Sequence, residues 1–332
     1  MTNRQLITYF LPLVLFASIV ILYVNSKAFL PLEKHSVSIA VSKTPLSAPF
    51  YVAQAINAFD DTCVKVEFDE VLGGQVAFAK VLSGEADFGT TSDSVIAFQS
   101  LTKKSFVTHT MFVQSDNDVK LLSRPSAQIS SATDLKGKRV GVTKGTASEY
   151  FLSMLLALEG LTTEDVNLHH YQPDQLVDGY INNEIDAIVP WEPFAFQSIQ
   201  LLEKEVKVHD TKSLNSLSFH LISQAADRVQ VEKAKCIIQG LNTAIDYIAA
   251  KPRLAKKIIV EKLQLSDDFI EWVWPDYIFK LSLNQSLLLS LKAKSTWLVA
   301  TQMSQFNGAP KLEKFIDTRA LLQVQPGAVN IP

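Results

Sequence analysis

The chain has 332 residues, too many for one ordinary hydrophobic core, so two lobes of usual domain size are expected once an N-terminal segment is set aside. Its 31 lysines and arginines against 34 aspartates and glutamates give a net charge of -3, with both signs scattered along the chain, which argues against a nucleic-acid partner. Two cysteines occur, Cys63 and Cys236, and neither stands just behind the apolar N-terminal run, so a lipid-modified cysteine is excluded.

Residues 6–24 are almost wholly apolar and carry no charge, close to the roughly 20 residues that take a helix across a bilayer. With Arg4 in front, the run reads as an uncleaved transmembrane anchor. The alternative is a signal segment cleaved at Ser26-Lys27-Ala28, leaving a protein soluble in the periplasm. Both place the rest of the chain outside the cytoplasm, the first at the periplasmic or extracellular face of the cytoplasmic membrane.

After a linker ending at residue 36, apolar strand-like runs alternate with helix-like stretches, the α/β pattern. Strands are predicted at 37–41, 64–68, 86–89, 139–142 and 185–189, each followed by a polar or glycine-bearing turn. Pro49 favours a helix start over 50–59, and Gly73-Gly74 precedes a helix over 75–83 closed by Gly84. Thr90-Thr91-Ser92-Asp93 leads into a helix over 95–101. Thr146 and Glu149, at capping-box spacing, open another over 147–159 that Gly160 ends. Cys63 and Cys236 lie far apart and read as two buried thiols, with a disulfide as the alternative in an oxidising compartment. From residue 231 onward the spacing is helical, over 236–249, 269–281 and 287–301, and this tail is expected to pack on the first lobe without strands of its own.

Residues 39–59, the phrase Ser83-Gly84-Glu85-Ala86-Asp87-Phe88-Gly89 and the phrase Asp134-Leu135-Lys136-Gly137-Lys138-Arg139-Val140-Gly141-Val142 with Lys144-Gly145-Thr146 resemble the SsuA/THI5-like (NMT1-type) solute-binding family. Residues 180–194, ending Val189-Pro190-Trp191-Glu192-Pro193-Phe194, are similar to that family's second-lobe signature. The resemblance covers 37–224 well and the tail loosely. It implies a two-lobed type II periplasmic-binding-protein fold with an N-terminal anchor and a helical C-terminal tail. Lobe 1 would occupy 37–123 and resume over 225–332, with 124–224 inserted as lobe 2 and 1–36 as anchor and linker. It further implies capture of a small polar solute (a sulfonate, taurine, a nitrate-like anion or a pyrimidine precursor) by hinge closure, and delivery to an ABC permease and its ATPase. No cofactor or metal is called for.

In open α/β sheets ligands bind beyond the carboxyl ends of strands, where helix N-termini offer free N–H groups. The candidate binding residues are therefore Ser47, Tyr51, Gly73, Gly74, Gln75, Thr91, Ser92, Asp93, Lys144, Gly145, Thr146, Ser148, Trp191 and Glu192. Trp191 is expected to flank a ring or alkyl chain, and Glu192 to take an amino group. The structural alternatives are helix capping for Thr146, Ser92 and Asp93, core packing for Tyr51 and Trp191, and a first-turn acid for Glu192. Lys43 and His220 are weaker candidates, the pair His169-His170 lacks metal spacing, and Trp272 and Trp274 fit helix packing. No arginine falls in a strand-end turn, which sets a zwitterion, an amide-like solute or an aminopyrimidine level with a sulfonate as the expected solute.

Two other functions compete with transport. A membrane-tethered sensor would signal through a partner, because about five residues before the apolar run are too few for an output domain. A pyrimidine-synthase-like enzyme is disfavoured by the lack of a cysteine-rich run, a nucleophile elbow or a Ser, His and Asp set.

Overall fold

The computed structural model describes residues 34–102, 104–224, 227–300 and 310–331. The predicted anchor at residues 6–24 lies outside them. Among the described residues no helix is long and apolar enough to cross a membrane.

The chain opens with β1 (His35–Ser42), α1 (Ala48–Ala55), β2 (Val64–Val71), α2 (Gly74–Ser83), β3 (Phe88–Ser92), α3 (Asp93–Ser100) and β4 (Val107–Ser115). It then crosses to β5 (Leu122–Ser123), β6 (Arg139–Val142), α4 (Ala147–Leu158), β7 (Asn167–His170), α5 (Leu176–Ile181), β8 (Ala187–Ile188), α6 (Phe194–Leu202) and β9 (Lys207–Val208). It returns through β10 (Leu217–Ser223) and continues with α7 (Arg228–Ala250), α8 (Pro252–Leu263) and α9 (Asp267–Val273). The last elements are β11 (Tyr277–Asn284), α10 (Gln285–Ala300), α11 (Arg319–Val324) and β12 (Val329–Asn330).

These strands make two sheets. The first has the order β12-β11-β4-β10-β3-β1-β2 and the second β7-β6-β8-β5-β9. β1 lies between β3 and β2, parallel to both, and its Val37, Ile39, Ala40 and Val41 are all buried, as a strand covered on both faces requires. The change of sheet falls between Ser115 and Leu122 and again between Val208 and Leu217, so Leu122-Ser123 belongs to the second sheet and β10 to the first. The crossovers are tied to what they pass: Lys120 N donates to Pro190 O at 3.0 Å, Glu192 N to Asp118 O at 3.1 Å and Ser213 N to Asp116 O at 3.0 Å.

One acid pins each sheet in the same way. Asp87, just before β3, accepts from the Ser38 N–H of β1 at 2.9 Å, and Asp186, just before β8, accepts from the Arg139 N–H of β6 at 2.9 Å. The acidic turns that carried the family resemblance thus help to set strand register.

Several expectations need correction. β3 runs on through Thr90, Thr91 and Ser92, so those residues are strand rather than turn. The tail has strands of its own: the predicted helix over 269–281 is α9 followed by β11, which pairs antiparallel with β4. Tyr277, Leu281 and Leu283 of β11 are buried in the main hydrophobic core, which overrides the helical spacing seen in sequence. Cys63 and Cys236 are joined as a disulfide that ties the chain before β2 to α7, with Cα atoms 5.6 Å apart. Their 173-residue separation hid a proximity created by α7 packing back over the first sheet.

Candidate functional site

A cleft of about 580 Å³, including its open mouth, lies where residues from the ends of strands in both sheets converge. Elements of the first sheet and its helices contribute Ser42, Gly73, Gly74, Gln75 and Ser92, with Thr44 just after β1; elements around the second sheet contribute Thr143, Thr146, Ala147, Gln172 and Trp191. Leu46, Leu72, Val76, Val95, Leu217 and Phe219 make much of the wall apolar, and Asp118 reaches it from the first crossover.

Local chemistry explains the two principal turns. Gly73 has φ 87° and ψ 151°, a conformation open essentially to glycine. A Cβ at Gly74 would stand 2.9 Å from the Thr91 backbone, so only glycine lets α2 begin this close to β3. The first N–H groups of α2 therefore start at the cleft wall without intrahelical partners. In the second lobe Thr146 caps α4: its Oγ1 donates to Thr143 O at 2.7 Å and accepts from Ser148 N at 3.2 Å. Glu149 does not close a capping box onto Thr146; its Oε2 accepts from Gly145 N at 2.7 Å, while Oε1 lies 3.0 Å from His170 Nε2. The two sides of the cleft approach closely at the rim, where a Cβ on Gly145 would come within 3.3 Å of Gln75 Nε2 and one on Gly73 within 3.8 Å of the Trp191 ring.

Residues 44–255 match the family described as NMT1/THI5 like. The chain belongs to this NMT1/THI5-like family. The taurine-binding periplasmic protein of Escherichia coli (strain K12) is 24% identical over 182 residues, 54% of this chain and 55% of that protein. The chain spans about half the length of the curated relatives it matches. Among solved structures, the alkanesulfonate-binding protein SsuA from Xanthomonas axonopodis pv. citri, bound to MOPS, superposes with a TM-score of 0.73 at 16% identity, covering 86% of this chain and 99% of that one. The periplasmic aliphatic sulphonate binding protein SsuA of Escherichia coli gives 0.70 at 18% identity, covering 85% and 97%. The two-sheet architecture of this family member is thus that of SsuA-like periplasmic binding proteins.

Of the residues expected at the site, Gly73, Gly74, Gln75, Ser92, Thr146 and Trp191 line the cleft of this NMT1/THI5-like chain. Lys144 and Gly145 line a wider neighbouring groove with His170, Tyr171 and Gln172. The others are held elsewhere. Ser47 is fully buried, and Tyr51 packs edge-on against Phe68 in the core, where burial, with Glu70 nearby, drives its hydroxyl far above the usual tyrosine range. Thr91 Oγ1 donates to Gly74 O at 2.9 Å, and Ser148 Oγ donates to Val189 O at 2.5 Å. Asp93 is buried against Lys294 Nζ at 2.9 Å.

Glu192 is also buried and does not line the cleft. Its Oε2 accepts from Phe196 N at 2.9 Å, and its Oε1 accepts from Trp272 Nε1 at 3.1 Å and faces Lys120 Nζ at 3.2 Å. It joins α6 to α9 and the first crossover, so Trp272 has a cross-lobe role beyond helix packing. His220 is buried beside Ser218, its ring pushed down to about 4 by burial, and Lys43 is exposed.

Sequence reasoning missed Ser42, Thr44, Thr143, Gln172, Phe219 and Asp118 among the lining residues. For Asp118 a signal existed: in Asp118-Val119-Lys120-Leu121-Leu122 two charges are set into an apolar run, and charges there must be paired or used.

Proposed function

We propose that this chain is an extracytoplasmic solute-binding protein that closes its two lobes over a small polar organic solute and passes it to an ABC permease and ATPase. One observation carries the reading: strand-end residues of both sheets line a single cleft, and two tied crossovers join the lobes that form it. Hinge closure is the motion such a layout favours. Gly73, Gly74, Gln75, Ser92, Thr146 and Trp191 would contact the solute. The names of the relatives point to sulfonates and taurine as the first classes to try. Residues 6–24 would hold the protein at the membrane.

The test is a thermal-shift screen of the full chain in mild detergent against taurine, alkanesulfonates, nitrate and aminopyrimidines. A ligand at about 100 times its Kd adds roughly 2.7 kcal/mol to the folded state, so one class should raise the melting temperature by several degrees, and Trp191→Ala should reduce that rise. A rise that Trp191→Ala leaves intact, or none at all, contradicts solute capture in this cleft. Alkaline extraction of membranes tests the anchor separately: release of a chain that begins after Ala28 would contradict it.

A further inference from the structure

Asp118 is the sole charged residue among those lining the cleft, and no lysine or arginine accompanies it there among the described residues. It is 2% exposed. Its Oδ1 accepts from the Tyr277 hydroxyl at 2.9 Å, while its Oδ2 has no hydrogen-bond partner among the described residues. The surrounding charges do not balance. Glu192 and Asp118 are two buried carboxylates that feel one buried ammonium, Lys120, whose Nζ lies 3.2 Å from Glu192 and also donates to Asn117 O. Asp276, the next carboxylate outward, is already matched by Lys212 at 2.6 Å and Asn117 at 2.7 Å.

A buried carboxylate oxygen that has no donor, and whose nearby ammonium Lys120 is already paired with Glu192, is unfavourable unless a proton or a second cation joins it. We infer that Asp118 sets the specificity of the cleft and that the solute brings a cationic N–H donor, an alkylammonium group or its equivalent, to Asp118 Oδ2. The inference rests on the solute-binding role proposed above and names the class of solute. The remaining wall fits the other parts of such a molecule. Trp191, Phe219 and Leu217 would cover an apolar body, and the α2 N-terminus would accept an anionic or polar end. A plain anion would instead meet an unmatched carboxylate. Burial, with the Glu192 charge beside it, pushes the Asp118 carboxyl up to about 7, so in the empty cleft a proton partly fills the place the solute's cation would take.

The experiment is a calorimetric titration of the full chain in mild detergent with matched probes: taurine and ethanesulfonate, benzylamine and benzyl alcohol, 4-aminomethylpyrimidine and 4-methylpyrimidine. Wild type should bind the aminated member of at least one pair about tenfold or more tightly than its partner, the size of a charge-assisted hydrogen bond. Asp118→Asn should erase that preference. Tyr277→Phe, which keeps the carboxylate, should retain it and so controls for damage to the crossover. Equal affinities within every pair that binds, or a preference that survives Asp118→Asn, overturns the amine assignment and leaves solute capture standing. Failure of all six probes to bind wild type contradicts both.

Discussion

Two buried aspartates near the cleft are treated in opposite ways. Asp93, at the start of α3, faces the Lys294 ammonium at 2.9 Å and lies 3.3 Å from the Ser290 hydroxyl, with acid and base both buried. Asp118, in the first crossover, shares the Lys120 ammonium with Glu192 and, among the described residues, leaves one oxygen without a hydrogen-bond partner. A charge matched inside the protein holds elements together, here α3 to α10. A charge left without a full set of partners on a cleft wall is the place proposed above for the solute's cation.

The sharpest break of this contrast is Lys294→Met. It strands Asp93 as a buried, uncompensated charge, at a cost of about 3–5 kcal/mol, and the melting temperature should fall by roughly 10 °C. A loss under about 1 kcal/mol would mean that the pair is not the structural tie described.

Reduction of the Cys63–Cys236 disulfide tests a tie between the same first-lobe sheet and α7 that involves no charge. Freeing so long a loop should remove about 2–5 kcal/mol, read as a lower midpoint in a urea melt with and without reductant, while solute affinity measured below the transition stays unchanged.

Asp118→Asn should act in the opposite sense to Lys294→Met. The unfolded carboxyl ionises near 3.8 and the folded one near 7, so between those values the folded wild type holds the extra proton and loses stability as pH rises, with the loss complete above about 7. The amide cannot ionise. Without solute, the melting temperature of the variant relative to wild type should therefore climb by several degrees between about pH 4 and pH 8. Glu192 is raised by burial too, and Lys120, Tyr277 and Asp276 face the same group, so the difference between the two proteins is the quantity to follow. A flat difference would place Asp118 among the matched charges.

The smallest effect belongs to Tyr51→Phe. The Tyr51 hydroxyl is buried, has no hydrogen-bond partner among the described residues and does not line the cleft. Its removal should change stability by no more than about 0.5 kcal/mol and leave solute affinity alone. A large loss of affinity would return Tyr51 to the site.

What the sequence made legible is local. Gly73-Gly74 and Thr146 were readable because backbone freedom and capping act over three or four residues, and both turns line the cleft. Glu192 and Asp93 were recognisable as acids at helix starts, but their partners Lys120, Trp272 and Lys294 lie 72 or more residues away, beyond any local pattern. Tyr51 illustrates a different limit: on a helix with almost every residue buried, spacing does not say which face meets the cleft. β11 was legible in part, since Tyr277, Phe279, Leu281 and Leu283 alternate, yet the helical spacing around them masked a strand that only pairing with β4 stabilises. The tied crossovers and the charge count around Asp118 follow from tertiary packing alone.

The most direct measurement is a difference infrared titration of the full chain, wild type minus Asp118→Asn, first without solute and then with whichever aminated probe binds. The Asp118 carboxyl should be half-ionised at about 7 alone, and ionised throughout the neutral range once the probe is bound. A carboxyl already fully ionised at about pH 5 and indifferent to the probe would contradict this expectation.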